Sequence, residues 1–197
     1  MGGVAKYRIK HYFPGVVCHV YNRGVNKEEI FKDDEDYLFY LKRLREYKDK
    51  FNINVICYNL IPNHYHYILE QLGDFPIVNL MRSLHTSYGQ YFNKKYKRVG
   101  PLFQDRFKQI VLEDNDKMLY LSAYINANAK IHGIIDEAKD YKWCSYSDYL
   151  GLRNGTLCNK ERIVNQFRDT GDYEIFVEGN AEFIKNKKDD EKYLLEN

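Results

Sequence analysis

The chain has 197 residues and a formal net charge of +2, from 30 Lys and Arg against 28 Asp and Glu. This length suits one substantial domain, and the near-neutral charge excludes a strongly basic, histone-like DNA-binding protein. The hydrophobic share of 44% excludes a chain that stays disordered. Tyrosine is abundant, with 19 residues against 11 Phe and 1 Trp, and its hydroxyl can hydrogen-bond or act as a nucleophile.

The predicted elements follow the order β, α, β, β, α, β, α. They are a strand over 16–21, a helix from Asp33 or Asp34 to about Lys50, strands over 53–60 and 64–70, a helix from Ile77 to about Tyr96, a strand over 107–113, and a helix from Asp114 or Asn115 to about Ile131. This order predicts an α+β fold, a ferredoxin-like antiparallel sheet with packed helices. We expect one domain over 1–151 and a helical or partly mobile C-terminal tail over 152–197.

The four cysteines are scattered and form no C-x-x-C pair: Cys18, Cys57, Cys144 and Cys158. Their spacing argues against a zinc knuckle or a thioredoxin-type site and predicts reduced thiols. No stretch approaches the roughly 18 consecutive apolar residues of a membrane span. The N-terminus has no apolar signal-peptide core. We therefore expect a cytoplasmic protein with no membrane partner.

The near-neutral net charge hides an asymmetry along the chain. Residues 1–112 carry +7 and residues 113–197 carry −5, and the segment 81–110 holds seven basic residues against one acidic residue. Aromatic residues lie between these basic residues, a pattern typical of a surface that binds a phosphate backbone. A solvated helix face is the alternative interpretation of this segment.

Two histidines alternate on a predicted strand, in the run His64-Tyr65-His66. Residues i and i+2 of a strand point to the same face, so the two imidazoles are spaced to hold one divalent ion. An isolated His-x-His also occurs as two surface histidines with no joint role, and this alternative stays open for the motif taken alone.

A second group of polar residues lies on the last predicted helix, where Tyr120, Tyr124 and Asn128 follow one another at a spacing of four. This spacing places them on one stripe of an otherwise apolar helix. An Asn side-chain oxygen can complete the shell of a hard ion such as Mg²⁺ or Mn²⁺, and a tyrosine hydroxyl can attack a phosphorus atom that the ion orients. Packing of the tyrosines in the core is the alternative.

These motifs together resemble the single-tyrosine transposases of the HUH superfamily (His-hydrophobic-His), and in particular the REP-associated tyrosine transposases with an IS200-like domain. The likeness extends over about residues 12–151. It is carried by His19-Val20-Tyr21-Asn22-Arg23-Gly24, Leu60-Ile61-Pro62-Asn63-His64-Tyr65-His66, Gly100-Pro101-Leu102-Phe103-Gln104-Asp105-Arg106-Phe107-Lys108, Leu121 to Gly133, and Trp143-Cys144-Ser145 with Ser147 and Tyr149.

The resemblance implies a role for each matching residue. His64, His66 and Asn128 would bind a divalent metal, Mg²⁺ or Mn²⁺, and Tyr124 would be the nucleophile. The implied reaction is cleavage and rejoining of single-stranded DNA through a 5′-phosphotyrosine, with hairpin-forming repeats as the usual substrate class. One departure from the family is Ala129, which stands where members often have proline; without a proline, this helix is expected to run straighter.

Candidate DNA contacts are Arg23, Gln104, Arg106 and Lys108, whose side chains suit phosphates or base edges. Tyr65, Tyr67 and Phe103 are candidates for stacking on unpaired bases, although core packing is favoured for each. His19 could lie near the metal pocket or be purely structural, whereas His85 and His132 are assigned no functional role.

Three functions compete at this point. The first is the active transposase, the second is a domesticated, non-catalytic DNA-binding protein of the same fold, and the third is a phosphodiesterase that uses water as its nucleophile. The aligned tyrosine argues against the third, because hydrolysis does not need it. The sequence leaves open whether the protein is a monomer or a homodimer.

Overall fold

The computed structural model describes residues 13–186, so the expectations for the N-terminal segment and for the highly charged end of the tail lie outside the described residues. Its centre is an antiparallel sheet with the strand order β2-β3-β1-β4. The strands are β1 (Val17–Arg23), β2 (Ile53–Ile61), β3 (His64–Gln71) and β4 (Lys108–Val111). The ferredoxin-like α+β prediction is confirmed; β4 is shorter than the predicted strand over 107–113.

Helices cover both faces of this sheet. Over the described residues they are α1 (Asp34–Phe51), α2 (Ile77–Lys95), α3 (Asn115–Ile131), α4 (Tyr146–Tyr149), α5 (Glu161–Val164) and α6 (Thr170–Asn186), with 3₁₀ turns at Val25–Lys27 and Ala138–Asp140. One core cluster joins α1 and α2 to one face, and a second joins α3 and α6 to the other. Asp33 and Asp114 cap α1 and α3 through their side chains, as their residue types favour.

The turn between β2 and β3 is held by the chain that follows β1. Pro62 and Asn63 form a two-residue connection, since Ile61 pairs directly with His64. The Pro62 carbonyl accepts hydrogen bonds from the amides of Ile30 and Phe31 at 2.7 and 3.0 Å. Gly24 donates to the Asn63 carbonyl at 2.9 Å. These bonds fix the point at which β3 begins.

The residues after 151 pack against α3. Asn126 is fully buried there; its Oδ1 accepts a hydrogen bond from Ser145 at 2.7 Å, and its Nδ2 donates to the Tyr173 hydroxyl of α6 at 2.8 Å. The side chain of Asn126 thus joins the segment after α3 and helix α6 to the sheet-covering helix. The division of the chain at residue 151 stays a prediction.

Two findings concern the expected setting of the chain. All four cysteines are free thiols, in line with their spacing. Within residues 13–186, no helix is both long enough and apolar enough to cross a membrane.

Removing the Asn126 amide is expected to destabilise the fold. Asn126→Ala removes two buried hydrogen bonds, to Ser145 and Tyr173, each worth about 0.5–1.5 kcal/mol, although these hydroxyls keep Tyr58 and Ser122 as partners. We expect the free energy of unfolding to fall by about 2 kcal/mol or more in urea titrations. Asn154→Ala, at an exposed position, is the control and should stay within about 0.5 kcal/mol of the wild type. Equal stability of the two variants would contradict this role of Asn126.

Candidate active site

His64 and His66 lie on the sheet face that α3 covers. Strand pairing places His66 opposite Tyr21 and His64 opposite Arg23, so these four side chains share one face. The two imidazole centroids are 5.2 Å apart and the rings are perpendicular. His66 is buried and His64 half-buried. The alternation in the sequence therefore does bring the two imidazoles together.

Tyr124 of α3 lies against the second of these histidines. Its ring meets that of His66 edge to face, with centroids 5.6 Å apart, and it is half-buried. Tyr120, one turn earlier on the predicted stripe, is 58% exposed and contacts Phe176 of α6 instead. The structure thus brings only one of the two tyrosines of the stripe to the histidines.

Asn128 completes the group one turn after Tyr124. It is fully buried, and neither its Oδ1 nor its Nδ2 has a hydrogen-bond partner among the described residues. Its amide nevertheless lies close enough to His64 to offset part of the lowering of that ring's pKa. Buried amides without partners are rare and costly. The Asn128 amide oxygen and the two imidazoles together form a donor set that fits a divalent cation.

Each histidine has one ring nitrogen engaged by a neighbour in the chain. Nδ1 of His64 is 2.8 Å from Oδ1 of Asn63, and Nδ1 of His66 is 3.1 Å from Nε2 of His19. An amide oxygen can only accept, so His64 carries its proton on Nδ1 and keeps the lone pair on Nε2. His19, for which the sequence leaves open a place near the pocket or a purely structural role, is in direct contact with His66.

The site favours uncharged imidazoles. Burial, and then repulsion from His132, lowers the pKa of His64 to about 3. Burial, followed by the neighbouring histidines, lowers the pKa of His66 well below its usual value. Neutral imidazole is the form that coordinates metals, so both rings are ready for coordination at neutral pH.

His132 also lies at this site, although the sequence predicts no role for it. It is exposed at the C-terminal cap of α3, and its ring centroid is 4.8 Å from that of His64. Its spacing of four from Asn128 is the pattern in the sequence that would predict its place near the site.

The helix α3 continues to Ile131 with Ala129 inside it, as expected for a helix without proline. Over residues 13–186, no three or more His, Cys, Asp or Glu side chains form a metal-binding group; the Asn128 amide oxygen is the further protein donor next to the two histidines.

Three of the four candidate DNA contacts, namely Arg23, Gln104 and Lys108, lie at the sheet face that carries the histidines. Arg23 lies opposite His64, and its Nε donates to Oε1 of Gln104 at 2.7 Å. The Gln104 amide in turn donates to the Arg23 carbonyl at 3.0 Å. Lys108 is exposed at the start of β4, opposite Tyr21. Arg106 is exposed in the loop between Gln104 and Lys108.

Core packing, the favoured interpretation of the three candidates for base stacking, agrees with the structure. Tyr65 and Tyr67 are fully buried, because they alternate with the histidines and point toward α1 and α2 on the other face. Phe103 is buried as well and stacks on His85, with centroids 3.9 Å apart. These rings are core residues in the structure.

The chain was compared with known proteins. The family profile described as "Transposase IS200 like" matches residues 13–128, more than half of the chain. A structure of a REP-associated tyrosine transposase bound to a REP hairpin superposes with a TM-score of 0.62 at 15% identity, covering 75% of this chain and 86% of that chain. A tRNA(His) guanylyltransferase from Saccharomyces cerevisiae has a TM-score of 0.45 at 10% identity, covering 98% and 86%. No curated protein matches the sequence.

The buried histidines are expected to make the fold sensitive to acid. Burial lowers the pKa of His19 and of His85 to about 3, against about 6.5 in an unfolded chain. Between these values the unfolded chain binds more protons than the folded one, so stability falls as the pH is lowered from about 6.5 toward 3. Urea titrations at pH 7.5 and 5.0, with a chelator present, should show this fall. This fall in stability should be smaller in His19→Gln. An equal fall in the variant and the wild type would contradict a lowered pKa for His19 in the folded protein.

Proposed function

The chain belongs to the IS200-like transposase family, and we propose that it cleaves and rejoins single-stranded DNA with Tyr124 as the nucleophile. The observation that carries this proposal is the contact of Tyr124 with His66, together with the orphaned Asn128 amide next to His64. The proposed nucleophile and the proposed metal ligands thus lie side by side within one chain.

The residues present fit a divalent metal, Mg²⁺ or Mn²⁺. Its ligands would be Nε2 of His64, Nε2 of His66 and Oδ1 of Asn128, because the Nδ1 atoms of both histidines are engaged and the amide has no other partner among the described residues. When bound, the ion would supply positive charge that neutralises and orients a DNA phosphate. The amide oxygen suits either ion, and the two imidazole nitrogens, softer ligands than oxygen, favour Mn²⁺ over the harder Mg²⁺.

The covalent step follows from the place of Tyr124. Its hydroxyl gives up its proton to solvent as the oxygen attacks the phosphorus, the bond from phosphorus to the 3′ oxygen breaks, and the leaving oxygen takes up a proton from solvent to become a free 3′-hydroxyl. The 5′ phosphate stays on Tyr124 as a phosphotyrosine, which keeps the energy of the phosphodiester for rejoining. In the rejoining step a 3′-hydroxyl loses its proton to solvent and attacks this phosphorus, the bond from phosphorus to the tyrosine oxygen breaks, and that oxygen takes up a proton.

The DNA would approach over β1, the edge strand β4 and the loop that leads from α2 into β4. Arg23, held by Gln104, presents a cation next to His64, and Lys108 and Arg106 extend the positive surface along this loop. Such groups bind phosphates without reading sequence. Hairpin-forming repeat DNA is the proposed substrate class, which the hairpin bound to the superposed transposase supports.

Tyr124→Phe is expected to abolish the covalent step. Without the hydroxyl no phosphotyrosine forms, so labelled hairpin-bearing single-stranded DNA incubated with Mn²⁺ should give no protein–DNA adduct that survives denaturation. Tyr120→Phe removes a hydroxyl one helical turn away at an exposed position and should form the adduct like the wild type. An adduct that persists in Tyr124→Phe would contradict the role of Tyr124 as the nucleophile.

The same assay separates the competing functions. Cleavage by the wild type without any adduct would favour the hydrolase, and binding without cleavage would favour the non-catalytic DNA-binding protein.

Asn128→Leu is expected to separate folding from metal binding. Because the buried amide meets no partner at good hydrogen-bond geometry and loses only its polar contact with His64, the metal-free variant should be about as stable as the wild type or more stable. In the wild type, Mn²⁺ at about 100 times its Kd should stabilise by about 2.7 kcal/mol, a rise in Tm of about 5–10 °C for a chain of this size. We expect most of this rise to be lost in Asn128→Leu. A full Mn²⁺-dependent rise in the variant would exclude Asn128 as a ligand.

A further inference from the structure

We propose that His19 is a positioning residue that holds His66 in the orientation and tautomer needed to bind the metal. This inference rests on the proposed function, since it concerns a ligand of the proposed metal site. The comparisons and the motif itself leave His19 without a role. It lies on β1 with its Nε2 3.1 Å from Nδ1 of His66, so it would act on the metal through His66.

Strand register explains why the two rings meet. Tyr21, the neighbour of His19 on the same face of β1, pairs with His66, and His19 pairs with Ile68. His19 is therefore the diagonal neighbour of His66, within reach for a long side chain. Their rings lie 14° from parallel with centroids 5.3 Å apart, and Tyr21 stacks on His19 at 4.8 Å. His19 is 1% exposed, so this packing leaves its ring little freedom to turn.

The chemistry of neutral imidazole then assigns the protons. Each ring has one N–H and one lone pair, so His66 can coordinate through Nε2 only with its proton on Nδ1. That proton points at Nε2 of His19, 3.1 Å away, which must accept it. If His19 were the donor instead, the proton of His66 would lie on Nε2 and occupy the coordinating position. The ability of His19 to accept a hydrogen bond is therefore what the site requires.

The two histidines are supported in different ways. Asn63 supports His64 through an amide oxygen at 2.8 Å, which is an acceptor in every state of the protein. His19 can accept or donate, so coordination by His66 selects one of two tautomers of His19. Hydrogen bonds to the second nitrogen of a metal-binding histidine commonly change metal affinity by about 10–100-fold.

Two variants of His19 separate the hydrogen bond from the packing. His19→Phe keeps a ring in the stack but has no acceptor, whereas His19→Gln keeps an acceptor oxygen. We expect the Kd for Mn²⁺, measured from the electron paramagnetic resonance signal of the free ion, to rise about 10–100-fold in His19→Phe and to stay within about threefold of the wild type in His19→Gln. Thermal unfolding of the metal-free proteins shows whether both variants fold.

A second measurement tests the tautomer directly and needs no metal. In ¹⁵N correlation spectra of the imidazoles, the His66 signal, assigned by its loss in His66→Ala, should report Nδ1–H in the wild type and in His19→Gln. It should shift toward Nε2–H in His19→Phe. An unchanged tautomer in His19→Phe, or an unchanged Mn²⁺ affinity, would overturn the proposal.

The failure of this proposal and that of the proposed function are distinguishable. Wild-type Mn²⁺ affinity that is unaffected by His64→Ala would refute the metal site, while the tautomer measurement would still decide the role of His19. The number of imidazoles coupled to bound Mn²⁺, counted by pulsed paramagnetic resonance, should be the same in His19→Gln as in the wild type. Loss of one imidazole would show that His19 is itself a ligand and would overturn its role as a positioning residue.

Discussion

The register between β1 and β3 is the constraint on which the rest of the site depends. It sets Tyr21 opposite His66 and Arg23 opposite His64, and the same register brings His19 within 3.1 Å of His66. A slip of one residue would turn the histidines toward α1 and α2. It would bring Tyr65 and every second residue after it on β3 to the face that now carries the histidines. The bonds from Ile30, Phe31 and Gly24 to the turn before β3 oppose such a slip. Gly24 is required there, because a Cβ at this position would lie 2.1 Å from the Glu28 carbonyl oxygen.

The strand β3 divides the molecule into two chemical environments. On one face Tyr65 and Tyr67 are buried among the aromatic residues of α1 and α2. On the other face the histidines meet α3, which supplies a half-buried tyrosine and a buried amide one turn apart. Helix α6 holds α3 in place from outside through Tyr173. The aromatic-rich composition is therefore mainly a matter of packing, and Tyr124 is the tyrosine that α3 sets against His66, on which Tyr21 of β1 also stacks.

Local patterns in the sequence predict most of this arrangement. The strand and helix order, the shared face of His64 and His66, and the stripe of Tyr124 and Asn128 all follow from periods of two and four residues. The contacts of His19 with His66 and of His132 with His64 could not be predicted in this way, because they depend on which strands and helix ends become neighbours in space. Tyr65 and Tyr67 show the opposite case: their alternation with the histidines already predicted that they point away from the site, and candidacy for base stacking came from residue type alone.

The most direct measurement is the anomalous scattering of Mn²⁺ bound to crystals of the full chain. The site described above predicts one peak at coordination distance, about 2 Å, from Nε2 of His64, Nε2 of His66 and Oδ1 of Asn128, with Tyr124 of the same chain next to it. A peak bound by the histidines with Asn128 turned away would contradict the ligand set. A peak elsewhere, with these three residues unligated, would contradict the metal-dependent mechanism built on them.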